Sequence, residues 1–397
     1  MSFALRLTVC QTSKPVDADK GELPVNDDTV SFMHRAITLA AKVYTTTPNP
    51  RVGCVIVRDG RVVGEGWHQQ PGQGHAEVNA LQQAGEQARG ASVYVSLEPC
   101  CHAGKTPPCT DALIAADVAE VFIGMFDPNP LVAGKGVERL RQAGIKVHDL
   151  SSSVNAEVLN RGYIKRMRHG LPYVRCKMAM SLDGRTAMAS GESQWITSPG
   201  SRADVQRLRA GACAVVTGVN TVLSDNPGLN LRTEQLDAAD AAAIGDRQPR
   251  RVVIDSSLRT PPESKIIRLD GEVLFLVGAP HAQQQQRFVG TRAEIRALAT
   301  LPGGRVDLLA AMKCLSNEFH SNEVMLEAGP TLSGAMLQAG LVDEIVIYIG
   351  ARLLGSDALP LFNLPGLRYM KDNIGLEIVD VLPVAGDCRI TARVINK

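Results

Sequence analysis

Two stretches decide how the amino-terminal half of this chain folds: "GHAEVNAL" at residues 74–81 and "EPCCHAGKTPPC" at residues 98–109. The first places His75 and Glu77 where a glycine-containing loop enters a helix expected over residues 76–88. The second completes the strand "SVYVSLE" (92–98) and leads into another helix starting near Cys109. Working outward, "VGCVIV" (52–57) and "VVGEGWH" (62–68) read as strands joined by the turn "RDGR". Before them, Asp27 and Asp28 can cap a helix with Phe32, Met33, Ala36, Ile37, Ala40 and Tyr44 on its apolar face. "VFIGMFD" (121–127), "KGVERLRQAG" (135–144) and "IKVH" (145–148) continue as strand, helix and strand. Such alternation builds a layered α/β domain, expected over residues 27–148 after a polar, flexible tail at 1–26.

Residues 149–172 read as a linker: serines, a basic amphipathic helix, then Pro172. Its "KRMRH" run reads as a solvated helix face. From Tyr173 to the end, a second set of strands alternates with helices: "YVRCKMAMS", "CAVVTGV", "RVVIDSS", "VLFLVG", "VMLEAG" and "EIVIYIGA". Two strands around Gly386–Asp387 give this second α/β domain, residues 173–397, an antiparallel close. "DAADAAA" (237–243) and "QQQQ" (283–286) read as loop insertions.

The charge balance is 42 basic against 41 acidic residues, and aromatics are only 4%, so no nucleic-acid partner is expected. No apolar run approaches the ~18 residues of a membrane helix, so no membrane partner is expected either. Nine cysteines, an odd and scattered set, suit a reducing compartment. The start, "MSFALRLTVCQTSK", lacks a small-residue cleavage site, so a cytoplasmic location is expected.

Side chains at the carboxyl ends of neighbouring strands converge in an α/β sheet. His75, Cys100 and Cys109 would then offer one imidazole and two thiolates to zinc. Water can take the fourth position, which marks a catalytic rather than a structural site. Zinc lowers the pKa of bound water from ~15.7 to about 7. Glu77, two residues beyond His75, can shuttle protons without binding the ion. H-x-E with paired cysteines is a zinc-deaminase signature, in which water displaces an exocyclic amine. Cys101 as a fourth, site-closing ligand is the competing reading, but adjacent cysteines cannot both reach one tetrahedral ion without strain. His102 is either a ligand or, beside Lys105, a contact for an anionic substrate.

Eight residues separate Cys100 from Cys109, where the usual deaminase spacing is two. That long loop, with "TPNPRVGCVIV" and "GHAEV", resembles the deaminase half of the bacterial bifunctional riboflavin-biosynthesis deaminase/reductases over residues 28–148. The resemblance implies a cytidine-deaminase-like three-layer domain. It also implies a pyrimidine pocket lined by Asn49, His68, His102, Lys105, Asp127 and Asn129. Asn49 suits a pyrimidine edge and Lys105 a phosphate. Asn129, between two prolines, is also good turn chemistry.

The second half has no G-x-G-x-x-G, so a Rossmann site is not expected. "KMAMSLDGRTA", "SQWIT", "VVTGVNTVLSDNPGLNLR" and "LEAGPTLSGAML" resemble, in order, the reductase half of the same family. That implies a dihydrofolate-reductase-like domain using NADPH. Within "LEAGPTLSGAML", Gly329 lets backbone approach a ligand, Pro330 suits a first helical turn, and free N–H groups there can hold a pyrophosphate. The resemblance places cofactor contacts at Ala179, Trp195, Thr221, Asp225, Ser256, Gly329, Pro330, Thr331, Leu332, Ser333, Gly334 and Ala335. It places substrate contacts at Lys177, Ser193, Arg209, Leu229, Arg232 and Glu327. Arg209 and Arg232 suit a ribose phosphate. Trp195 packs either on the cofactor or in the core. Gln206 stands where relatives often carry histidine and touches no expected contact. Lys177 and Glu327 flank the carbon that receives hydride, with the proton donor left open.

The expected activity is zinc-dependent deamination of a ribosylamino-pyrimidinone phosphate, then NADPH-dependent reduction of its ribose to ribityl, in a homo-oligomer. Two rivals remain: a nucleic-acid base deaminase, and a closed zinc module fused to a dinucleotide sensor.

Overall fold

The computed structural model describes residues 27–102, 107–279 and 282–395. The expected tail at 1–26 and the candidate phosphate contact Lys105 lie outside them.

The first half comprises α1 (Asp27–Ala40), β1 (Gly53–Arg58), β2 (Arg61–Trp67), α2 (Ala76–Ala84), β3 (Ser92–Val95), α3 (Cys109–Ala115), β4 (Glu120–Ile123), α4 (Lys135–Gln142) and β5 (Lys146–Asp149). Its sheet order is β2-β1-β3-β4-β5, with β1 antiparallel to both neighbours and β3, β4 and β5 parallel. β1 is buried at all but its last residue, as expected of a strand covered on both faces. One face packs Ala76, Ala80, Leu113, Val137 and Leu140; the other packs Met33, Ala36 and Leu39 of α1. That is a three-layer sandwich. α2 lies close on the sheet because β2 carries glycine at the contact: a Cβ on Gly66 would sit 2.3 Å from the Ala76 carbonyl oxygen.

α5 (Arg161–His169) follows and ends on Gly170 in the left-handed region. The second half comprises β6 (Tyr173–Ser181), β7 (Arg185–Ala187), α6 (Pro199–Gly211), β8 (Ala214–Gly218), α7 (Val219–Asp225), α8 (Ala238–Ile244), β9 (Arg250–Ile254), α9 (Lys265–Arg268) and β10 (Val273–Val277). It continues with α10 (Ala282–Gln286), β11 (Ala293–Ala297), α11 (Leu308–Asn317), β12 (Glu323–Leu326), α12 (Pro330–Gln338), β13 (Glu344–Gly350), β14 (Leu359–Pro360), β15 (Gly375–Val384) and β16 (Asp387–Ile395). Nine strands form one sheet in the order β11-β10-β9-β8-β12-β6-β13-β16-β15. The strands from β11 to β13 run parallel, and β16 and β15 close the sheet antiparallel.

Several expectations are corrected. "DAADAAA" is a helix, not a loop: the Asp237 side chain caps α8 by accepting the Asp240 N–H, and alanine propagates the turn. "QQQQ" likewise lies in the short helix α10. Tyr44 lies beyond α1 and sends its hydroxyl 2.6 Å to Asp240 of α8. The run 165–169 is not uniformly solvated: Lys165 binds Asp343 and Arg166 binds Asn322, while Arg168 and His169 are exposed. The short strands β7, β11 and β14 were not anticipated, because none carries a long apolar run.

Candidate active sites

His75 is the residue before α2, and Cys109 opens α3. Cys100 sits on the loop after β3. The sheet therefore brings two helix starts and one strand end to a common point. The imidazole Nδ1 of His75 lies 3.1 Å from the Cys109 sulfur and 3.5 Å from that of Cys100. All three donor atoms fall within 4.8 Å of one another. Helix starts favour negative charge, which suits thiolates. The Cys100 thiol is pushed down to about 4, chiefly by a hydrogen bond from Cys109. The Cys100 sulfur also accepts the Cys109 main-chain N–H at 3.3 Å, and thiolate is the form in which cysteine binds a divalent cation. One nitrogen and two sulfurs on three separate elements fit zinc, and Cys101 and His102 stand outside the group.

Glu77 lies in the first turn of α2 and is only 3% exposed. Burial raises its carboxyl to about 7. A cavity of about 330 Å³ opens here, lined among others by Asn49, His68, Glu77, His102, Asp127 and Asn129. His68 is buried and its pKa is lowered by that burial. Its Nδ1 faces the Gly74 carbonyl at 3.2 Å, so Nδ1 carries the proton and Nε2 accepts from the Asn49 amide at 3.0 Å. That bond turns the Asn49 side-chain oxygen into the group free to meet a ligand. Asn129 shapes a turn, accepting the Leu131 N–H while its own N–H goes to Asp127.

Sequence reasoning missed four contributors. Glu98 is buried, and its carboxylate accepts the N–H groups of Asp127, Gly134, Gly136 and Val137 at 2.9–3.2 Å, holding the loop that carries Asp127 and Asn129. Tyr163, Arg166 and Met167 of α5 line the cavity, and the Tyr163 hydroxyl donates to Asp127 at 3.0 Å. The apolar-polar alternation of α5 was visible; what it packs against was not.

In the second half, the pairing of Leu326 with Cys176 sets Glu327 beside Lys177. Arg209 donates to both Glu327 oxygens, at 2.6 and 3.0 Å, and to the Asn230 carbonyl at 2.8 Å. Burial works to raise the Glu327 pKa, but Arg209, Lys177 and Arg232 together hold it below the usual range. Burial lowers Lys177. Arg209 is thus engaged by a carboxylate, whereas the Arg232 Nε is buried without a hydrogen-bond partner among the described residues. An orphaned cationic donor fits an anionic ligand. Gln206 is fully buried and accepts the Arg232 main-chain N–H at 3.1 Å, so it does touch an expected contact.

Of the remaining expected residues, Thr221, Ser256 and Gly329 lie just beyond the carboxyl ends of β8, β9 and β12. Gly329 precedes α12 with an ordinary φ of −70°. A Cβ there would meet nothing nearer than the Thr221 hydroxyl at 3.9 Å, so the fold leaves open a cradle beside the helix start. This fits a dinucleotide phosphate. Thr331 is exposed and Pro330, Leu332 and Ala335 are partly exposed, whereas Ser333 and Gly334 are buried against Ala328 and Asn363. Trp195 is 56% exposed under the Arg202 guanidinium, which removes the core reading. Asp225 is exposed at the end of α7, and Ala179 and Ser193 are partly exposed. The Leu229 side chain is in the core, leaving only its main chain for a ligand. The Ser256 hydroxyl accepts the Val306 N–H.

The family "Cytidine and deoxycytidylate deaminase zinc-binding region" matches residues 26–125, and the family "RibD C-terminal domain" matches residues 172–385. The riboflavin biosynthesis protein RibD of Escherichia coli is 51% identical over 361 residues, spanning 90% of this chain and 96% of the relative. A solved structure of Acinetobacter baumannii RibD is 42% identical with a TM-score of 0.83, over 93% of this chain and 99% of that one. The diaminohydroxyphosphoribosylaminopyrimidine deaminase/5-amino-6-(5-phosphoribosylamino)uracil reductase of Thermotoga maritima is 30% identical with a TM-score of 0.78, over 92% and 98%. The chain belongs to the RibD family, the bifunctional deaminase/reductases of riboflavin biosynthesis, which use zinc and NADPH.

Proposed function

We propose that residues 27–148 deaminate the diaminopyrimidinone and residues 173–397 reduce its ribose, with the named side chains in the following roles. His75, Cys100 and Cys109 would hold zinc, which would supply the Lewis acidity that makes water a nucleophile near neutral pH. Glu77 moves the proton from the attacking water to the departing amine, which leaves as ammonia. Asn49, fixed by His68, orients the pyrimidine. The observation that carries this reading is the buried carboxylate of Glu77 beside the three-donor cluster, at the base of a cavity.

In the second domain, bound NADPH would be the hydride source for the ribose carbon. The start of α12 at Gly329 receives a cofactor phosphate, Arg232 clamps the substrate phosphate, and Lys177 with Glu327 faces the reacting carbon. Arg209 sets the charge and rotamer of Glu327.

A cytoplasmic homo-oligomer acting on a phosphorylated pyrimidine, with no nucleic-acid partner, completes the reading. Ile378 and Val381 of the outermost strand β15, 64% and 54% exposed, support self-association. Among the described residues, no helix is long and apolar enough to cross a membrane. The test is an assay of the purified protein with the diaminopyrimidinone phosphate, with and without NADPH. It follows ammonia and nicotinamide absorbance separately, with a chelator control. Ammonia release without NADPH, abolished by chelation, is expected; chelator-insensitive release would overturn the zinc assignment.

A further inference from the structure

The segment that carries Asn49 is fastened from outside by the second half of the chain. The Thr47 hydroxyl lies 2.9 Å from the Cys213 sulfur. Arg166 of α5 donates to the Pro48 carbonyl at 2.8 Å and, through Nε, to the Asn322 side-chain oxygen at 2.6 Å. The Asn322 amide nitrogen faces the carbonyls of Pro48 and Asn49 at 3.4 and 3.5 Å. Asn322 is 6% exposed and immediately precedes β12. α5 approaches this point closely enough that a Cβ on Gly162 would lie 2.6 Å from the Asn322 carbonyl oxygen. Within the first half, the Asn49 carbonyl receives the Thr46 hydroxyl at 3.0 Å, and the Asn49 side-chain nitrogen meets His68 at 3.0 Å.

We infer that Asn322, acting with Arg166, is a positioning residue for deamination: the reductase half holds the Pro48–Asn49 backbone so that the Asn49 amide faces the pyrimidine. This rests on the reading of Asn49 as a pyrimidine contact. An amide is suited to the position because it donates to two carbonyls and accepts from a guanidinium at once. A misplacement of about 1 Å in a binding group costs up to ~10²-fold in kcat/KM, so a modest loosening is measurable. Asn322 lies at one end of β12 and Glu327 follows the other end, about 17 Å away at 3.3 Å per residue. One strand therefore serves both sites, and changing its first end leaves the second in place.

The test uses the full-length protein with Asn322→Ala, Asn322→Asp and Arg166→Met. Asn322→Ala is expected to raise the deamination KM about tenfold with kcat within about threefold. KM for NADPH and for the deaminated intermediate stay at the wild-type values. Asn322→Asp preserves volume and the acceptor for Arg166, but turns an oxygen toward two carbonyls. It is expected to be at least as impaired as the alanine variant, and Arg166→Met to be impaired in the same sense. If Asn322→Asp restores the wild-type KM, the side chain only fills space and the inference fails. It fails equally if every folded variant stays within twofold of wild type. Absence of ammonia release from the wild-type protein would instead overturn the deaminase assignment itself.

Discussion

Arg209 grips both carboxylate oxygens of Glu327, at 2.6 and 3.0 Å, with both side chains less than a tenth exposed. Bidentate geometry fixes the carboxylate plane, and burial makes the pair costly to break. Arg209→Ala is therefore expected to destabilise the protein by about 3–5 kcal/mol in urea unfolding. NADPH oxidation should be largely lost, while ammonia release stays within about twofold wherever the variant is folded. Equal loss of both activities in a folded variant would contradict the assignment of Arg209 to the reductase site.

Glu98 accepts four backbone N–H groups from the loop and helix that follow β4. Removing a buried charged acceptor leaves those donors unsatisfied. Glu98→Ala should cost about 3 kcal/mol or more, and Glu98→Gln roughly half that, read from chemical denaturation. Because Cys100 is two residues on, zinc retention should fall in the same order.

Asp127 is raised from 3.8 to about 6, first by burial, with Glu98 and Cys100 adding to the effect and Tyr163 and the Asn129 N–H opposing it. A raised acid pKa means that the folded state holds the proton more tightly than the unfolded state. The contribution of Asp127 to stability is then fully present below about pH 3.8 and is lost as pH rises through about 6. Asp127→Asn keeps the acceptor for Tyr163 and cannot ionise. The stability of wild type relative to this variant should fall by on the order of 2 kcal/mol between pH 4 and 7. A pH-independent difference would contradict the shift.

The convergence of His75, Cys100 and Cys109 was legible because they sit at helix starts and a strand end in two short motifs whose chemistry is local. Glu98 was not, since its partners are backbone groups 29–39 residues away with no side-chain signature. Tyr163 and Arg166 were hidden for a related reason: a basic amphipathic helix reads as solvated until the surface it meets is known. The helix at 238–244 was legible in principle, as an aspartate cap before an alanine run, but its low complexity pointed to a loop. Arg209 and Arg232 look alike in sequence; only the presence of Glu327 on one and an orphaned Nε on the other separates their tasks.

The most direct measurement is ammonia release by Glu77→Gln together with its zinc content. Full zinc occupancy, ammonia release lowered at least about 100-fold, and unchanged NADPH oxidation with the deaminated intermediate are the predicted results. Ammonia release at the wild-type rate by a zinc-loaded Glu77→Gln protein would contradict the account.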